Sequence, residues 1–187
     1  KLNLNNSEEY ERLQTGISEL SNAPIYIDDQ AGTNIVKMRS TARKIKSERG
    51  LGLIVVDYLQ LMSPTQSRNS DNVVQQISEI SKSLKHLARE LDVPVLALSQ
   101  LSRAVEQRQG KPRLSDLRDS GSIEQDADIV MFIHREDRYK DHNERDNMVE
   151  ILIEKHRNGP TGAIKLKFDD KHSCFLSLEK GDYDDFQ

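Results

Sequence analysis

Between Val73 and Leu91, apolar side chains recur every three or four positions, at Val73, Ile77, Ile80, Leu84, Leu87 and Leu91. That period puts them on one face of a helix, which the chain ends at Asp92. A second helix is predicted where Ile35, Met38, Ala42 and Ile45 share a face and Lys37, Arg39, Arg43 and Lys44 lie elsewhere. Gly50 and Gly52 close it. A third begins at Asn6-Ser7-Glu8-Glu9, spaced as a capping box, and runs to about Leu20.

Other stretches carry the strand pattern. Leu53-Ile54-Val55-Val56 is unbroken aliphatic chain, which reads as a strand buried on both faces. Val93-Pro94-Val95-Leu96-Ala97-Leu98 reads as the next buried strand and Ile129–Ile133 as a third. Pro24–Asp29 reads as a short strand ending in acids. Val149–Glu154, Ala163–Phe168 and a segment near Cys174–Leu178 follow as late strands. Gln30–Thr33 reads as a turn, 63–72 as an exposed loop and 135–147 as a solvated charged loop. Strands alternating with helices, then a run of strands, predict an α/β domain with a mainly parallel sheet and an added hairpin region.

Composition narrows the class. The 187 residues suit one domain with a sizeable core. No 18-residue apolar run occurs, so no membrane-spanning helix is expected, and the first residues have no signal-peptide pattern. The single cysteine, Cys174, forbids an intrachain disulfide and fits a reducing, cytoplasmic setting. Five scattered histidines give no zinc-ligand spacing. Net charge is −4, so nucleic-acid binding must rest on local patches.

Candidate chemistry gathers at the ends of the strands. Asp57 follows the first aliphatic run, at the carboxyl end where open α/β sheets bind ligands. A carboxylate there can hold magnesium through its water shell, and the ion in turn holds nucleotide phosphates, the Walker B arrangement. A strand-end Asp also caps turns in many proteins, so this signal is weak alone. Ser99-Gln100 ends the neighbouring strand. A Gln there can bond a γ-phosphate or orient an attacking water; a loop Gln bonding backbone is the alternative.

A phosphate-cradling G-x-x-x-x-G-K-[ST] loop is missing. Gly110-Lys111 is the only Gly-Lys pair, Val105 stands where the first glycine belongs, and Pro112 comes next. Either the chain is no nucleotide hydrolase, or it is a fragment beginning after that loop.

Arg103, Arg108, Lys111, Arg113 and Arg118 against Glu106 and Asp116 make a locally basic, flexible segment suited to phosphate backbones, or simply a solvated loop. No aromatic is interleaved for base stacking. Leu117–Asp128 packs acids, small residues and Arg118 before a buried strand, and Gly121 permits close backbone approach. Lys155 and Arg157, two apart on a strand, share a face and together suit a polyphosphate; as ordinary surface cations before the Gly159-Pro160 turn they would need no partner.

These blocks together resemble the DnaB-type replicative DNA helicases, a branch of the RecA-like ATPases. The likeness runs from about Ala23 to Phe168. It is strongest at Ile54–Met62, Pro94–Arg108, Ser115–Ile133 and Lys155–Gly162. It implies a single truncated RecA-like motor domain over 1–187. By resemblance, copies form hexameric rings around single-stranded DNA, with ATP and Mg2+ between neighbouring subunits. Asp57 matches the Walker B acid for magnesium and Gln100 the γ-phosphate-sensing Gln. Lys155 and Arg157 match cations reaching the neighbour's ATP, with Arg157 as arginine finger. Arg118, Asp119 and Gly121 match the loop that tracks the DNA backbone. The family's P-loop and catalytic glutamate are expected before Lys1. Primase and a helicase loader are implied as further partners. A RecA-like recombination ATPase remains an alternative, as does a non-enzymatic DNA-binding and oligomerisation module.

Overall fold

The period of Val73–Leu91 builds the helix on which the core rests. In a computed structural model of the chain, which describes residues 7–30, 32–63, 73–108, 110–117, 121–139 and 145–178, helix α3 (Val73–Leu91) buries Ile77, Ile80, Leu84, Leu87 and Leu91. Leu87 is wholly enclosed. Each such side chain contributes about 1.5–3 kcal/mol by leaving water. The chain divides into two units, residues 1–31 and 32–187.

In the first unit, α1 (Ser7–Asn22) buries no residue. Tyr10, Ile17 and Leu20 are exposed along it. The Pro24–Asp29 stretch forms no strand, contrary to the sequence expectation. Pro24 lacks an N–H to give a ladder, and Ile25 and Ile27 are 63% and 87% exposed, so the apolar side chains of the segment gain little burial.

In the second unit, α2 (Ile35–Arg49) is capped at its start by Asn34, whose side-chain oxygen accepts from the Lys37 N–H at 2.9 Å. Such a cap contributes about 1 kcal/mol. Gly50, at φ 81°, ends the helix in a conformation that suits glycine. α2 packs on α3 through Ile35 and Ala42, and Glu90 pairs with Arg43 at 2.6 Å. Strands β1 (Ile54–Val56) and β2 (Val95–Ala97) pair in parallel, Val55 opposite Leu96. The short helices α4 (Ala104–Arg108) and α5 (Gly121–Asp126) come next, and α5 packs on α3. Strands β3 (Ile129–His134), β4 (Met148–His156), β5 (Gly162–Asp169) and β6 (Cys174–Ser177) then form an antiparallel sheet in chain order. A register irregularity falls between Val130 and Met131. Val130, Phe132 and Leu152 join the α3 core.

The α/β architecture, the parallel pair and the late hairpins agree with the sequence expectation. Among the described residues, however, the parallel part is one short pair and the antiparallel part is the larger. The burial of β1 also differs. Val56 is buried, while Leu53 and Val55 are 49% and 57% exposed, as are Leu96 and Leu98 beside them at 41% and 44%. One face packs on the core and the other is open, because successive strand side chains point to opposite faces.

The 135–147 loop is not simply solvated. Asp137 is 1% exposed and accepts from the Arg135 Nε at 3.1 Å and from the Asn147 backbone N–H at 2.7 Å. Arg135 also donates to Asn147 Oδ1 at 2.9 Å, pairs with Asp170 at 3.3 Å, and lies 5.0 Å over the Phe168 ring. Phe168 in turn meets Phe175 across β5 and β6, ring centres 5.2 Å apart. The loop is therefore pinned at both ends; its central residues 140–144 and the expected loop at 64–72 lie outside the described residues.

Burial pushes the Asp137 carboxyl up. The hydrogen bonds from Arg135 and the Asn147 N–H, with the charges of Arg135 and Arg145, outweigh it and hold the group below the ordinary carboxylate value. A depressed folded value stabilises the fold above the unfolded value of about 3.9 and is lost as pH falls through the folded value.

This packing makes two predictions about stability. Leu87→Ala should cost about 2–5 kcal/mol, read as a lower urea midpoint at unchanged slope. Asp137→Ala should cost about 1–3 kcal/mol at neutral pH, because the Asn147 N–H and Arg135 Nε lose their acceptor while Asp170 still pairs the guanidinium. It should also flatten the loss of stability that wild type shows below about pH 4; an unchanged acid limb would mean Asp137 does not hold the loop.

Candidate functional site

The parallel pairing of β1 and β2 brings Asp57 and Gln100 to one sheet edge. The ladder continues past the strand ends: the Leu98 N–H donates to Val56 O at 2.9 Å, and the Leu59 N–H donates to Leu98 O at 3.0 Å. A single helical turn, Leu59–Leu61, comes next, with Leu59 buried beneath it. This turn presents Gln60 to the other strand's end. Gln60 Nε2 donates to Ser99 Oγ at 3.1 Å, and Gln60 Oε1 accepts from the Gln100 N–H at 3.4 Å. Asp57 itself is exposed, and the peptide bond joining it to Tyr58 is cis. Gln100 is exposed too. One amide side chain thus couples the two strand ends.

A second group forms on the antiparallel sheet. Lys155 and Arg157 sit at the end of β4, where the Arg157 N–H donates to Asp128 O at 2.8 Å. Lys155 Nζ donates to Glu124 O, and also to Gln125 O at 3.4 Å; the Arg157 guanidinium donates to that same Gln125 O at 3.2 Å. Their two-residue spacing therefore brings both cations to the last turn of α5, whose carbonyls lack helical donors. Arg157 also pairs with the Asp128 carboxylate at 3.2 Å, and Lys85 of α3 pairs with its other oxygen. The Lys85 hydrogen bond, with the charges of Lys85, Arg157 and Arg89, holds Asp128 below the usual carboxylate range against the opposing effect of burial.

The next turn is tight. A Cβ on Gly159 would run into the His156 ring, so a larger residue there would have to displace that side chain. His156 Nδ1 lies 3.3 Å from Pro160 O.

The basic segment is more ordered than its composition suggests. Asp116 is buried and clamps Arg108 with two bonds, at 3.1 and 2.6 Å, while accepting from the Arg113 N–H at 2.7 Å. That side-chain bond to Arg108 leads the causes that hold Asp116 below its ordinary value. Lys111 pairs with Glu150 at 2.5 Å. Two of the five predicted cations are thus committed to carboxylates. Arg108, Lys111, Arg113 and Glu154 line an open cleft of about 710 Å³ that includes neither Asp57 nor Gln100. Gly121 is the exposed first residue of α5. Arg118 and Asp119, expected beside it, lie outside the described residues.

The sequence pattern does not single out Asp128, Gln60 and Asp116 as organising residues. Their partners are 29, 39 and 8 residues away, at Arg157, Ser99 and Arg108. A carboxylate just before a buried strand is the one local signal for Asp128. Among the described residues, no three His, Cys, Asp or Glu side chains gather as a metal cage. A lone exposed carboxylate nevertheless suits magnesium, which keeps several waters and shares one or two carboxylates with substrate phosphates. Among the described residues, no helix is long and apolar enough to cross a membrane.

The fold is an α/β domain with candidate residues gathered at strand ends, and comparison gives its family. The DnaB-like helicase C-terminal domain family matches residues 1–177, and the chain belongs to that family. It is 52% identical over 174 residues to the replicative DNA helicase DnaB of Geobacillus stearothermophilus. It is 51% identical over 174 residues to the replicative DNA helicase DnaC of Bacillus subtilis strain 168. Each alignment covers 92% of this chain and 38% of the relative, so the chain spans well under half of their length. A solved DnaB-like replicative helicase, described with its interactions with primase, superposes with a TM-score of 0.85 at 47% identity. That match covers 93% of this chain and 42% of the solved one. The RecA-like α/β fold expected from the resemblance is therefore the fold of the chain.

Proposed function

We propose that this chain is motor-domain sequence of a ring-shaped replicative DNA helicase that couples ATP hydrolysis to movement along single-stranded DNA and duplex unwinding. The observation that carries the reading is the coupled pair of strand ends. Asp57 and Gln100 sit at one sheet edge, and Gln60 ties the second to the turn after the first. That edge is where α/β folds bind nucleotides. In this reading Asp57 holds magnesium through water and Gln100 faces the γ-phosphate. When bound, the ion neutralises phosphate charge as it develops. The phosphate cradle itself must come from outside these 187 residues, since no G-x-x-x-x-G-K-[ST] occurs in them.

Lys155 and Arg157 belong to the other sheet. We assign them to the nucleotide of a neighbouring copy in a hexameric ring, with Arg157 as the arginine finger. Arg118, Asp119 and Gly121 are assigned to the DNA backbone in the central channel. Contacts to the backbone alone leave binding indifferent to sequence, as a translocating motor needs. Net charge of −4 does not oppose this, because basic loops from several copies lining one channel focus potential there. Primase is the partner named for the solved relative and is proposed here on that ground, with a loader as a further candidate.

The test uses the full-length protein that carries this sequence. Arg157→Ala should lower DNA-stimulated ATP turnover by about a thousandfold or more while the subunit stays folded. Mixing it with Asp57→Ala subunits should restore part of the turnover, since each variant supplies what the other lacks. Undiminished turnover in Arg157→Ala would sink the assignment, and DNA binding with no DNA-stimulated hydrolysis would favour the non-enzymatic module.

A further inference from the structure

The residue that aims Arg157 is not itself part of the proposed nucleotide contact set. We infer that Asp128 is a positioning residue, which together with the carbonyl end of α5 sets the direction in which Arg157 leaves the sheet. This rests on the reading of Arg157 given above.

Three separate contacts converge on this arginine. Its backbone N–H is taken by Asp128 O at 2.8 Å. One terminal nitrogen meets the Asp128 carboxylate at 3.2 Å, and the other meets Gln125 O at 3.2 Å. The guanidinium is planar and presents its donors in a rigid fork. Contacts to both terminal nitrogens therefore fix the plane as well as the position. The side chain remains 45% exposed, so donors remain for a phosphate presented from another copy.

Asp128 is in turn held from the opposite side. Its second oxygen is taken by Lys85, on the core helix α3. α5 is fixed to the same helix by the buried Ile123 and by a 2.8 Å hydrogen bond between Ser78 and Ser122. Lys155 closes the group by donating to Glu124 O, so both cations read the position of one helix end. The anchor is thus α3, and Asp128 transmits it to Arg157.

An ion pair this exposed adds little to stability, because water already solvates both charges. Loss of the Asp128 carboxylate should therefore spare the fold. What it removes is orientation. Misplacing a reacting group by about 1 Å can cost on the order of a hundredfold in rate. α5 also begins at Gly121, at the end of the segment assigned to DNA, and the same six-residue helix ends on the two cations. A shift of α5 would reach Arg157 through Asp128 and Gln125.

The experiment compares Asp128→Asn with wild type in the full-length protein, by steady-state ATP hydrolysis on single-stranded DNA. The substitution keeps size and removes charge. Turnover should fall on the order of tenfold or more, with KM for ATP changed by less than about twofold, because the subunit's own nucleotide edge is intact. Mixing with Asp57→Ala subunits should then raise turnover above the sum of the two variants alone. A merely structural defect would not recover on mixing. If Asp128→Asn does not fold, Lys85→Met decides the point in the same assay, with a smaller loss expected and the same recovery. Turnover that is unchanged or raised, or a loss that mixing does not restore, overturns the inference. The Arg157→Ala mixture is run alongside: if that fails to recover, the arginine-finger reading has failed, and if it recovers while the Asp128→Asn mixture does not, only the positioning role has.

Discussion

Burial of one face of α3 is the constraint on which the rest of the domain depends. Leu84, Leu87 and Leu91 share one buried cluster with Val56 and Val93, and α3 packs on β2 and on the turn after β1. The same helix packs on α5 and sends Lys85 to Asp128. Both groups of candidate residues are therefore referred to one rigid element. Close-packed interiors pass on small displacements instead of absorbing them, so a single buried helix can keep two sites in register without any contact between them.

Carboxylates then do for the surface what α3 does for the core. Asp116, Asp128 and Asp137 each hold an arginine, and each has its pKa held below the ordinary value by hydrogen bonds and nearby charge. Their environments differ. Asp137 and Asp116 are buried, so their hydrogen bonds are what make burial of the charge tolerable. Asp128 is more than half exposed, so its pairing costs and gains little in stability and acts on direction. A chain with net negative charge can in this way keep cations aimed where they are needed.

The strongly periodic parts of the chain are legible in its sequence, and the relations between distant residues are hidden. The α3 period, the Asn34-to-Gly50 helix and the late antiparallel strands are readable because each depends on neighbours a few positions away. Pro24–Asp29 misleads, because β-branched and aromatic residues satisfy a local strand pattern even where, among the described residues, no ladder forms. The 135–147 segment misleads in the opposite sense: charge suggests solvent, but a buried Asp137 needs only two donors to make burial tolerable. Asp57, Gln100, Lys155 and Arg157 stand out by strand-end position and spacing together with the family resemblance. Gln60 and Asp128 do not, since a side chain that positions another has no spacing of its own to betray it.

The two sheets differ in what they can tolerate. β1 and β2 are three residues each, and their carboxyl ends are stabilised mainly by bonds beyond the strands, from Leu59, Gln60 and Leu98. β4 runs nine residues and is paired on both sides along much of its length. Its pairing to β5 stops at Ile153, however, so the end that carries Lys155 and Arg157 is held by β3 alone and by the contacts beyond the strand. At both strand ends the contacts lie beyond the ladder: Asp128 and the end of α5 meet Arg157, and Gln60 bridges to Ser99 and Gln100. Both groups of candidate residues thus owe their placement to side chains outside the strands that carry them, and to the α3 core those strands share.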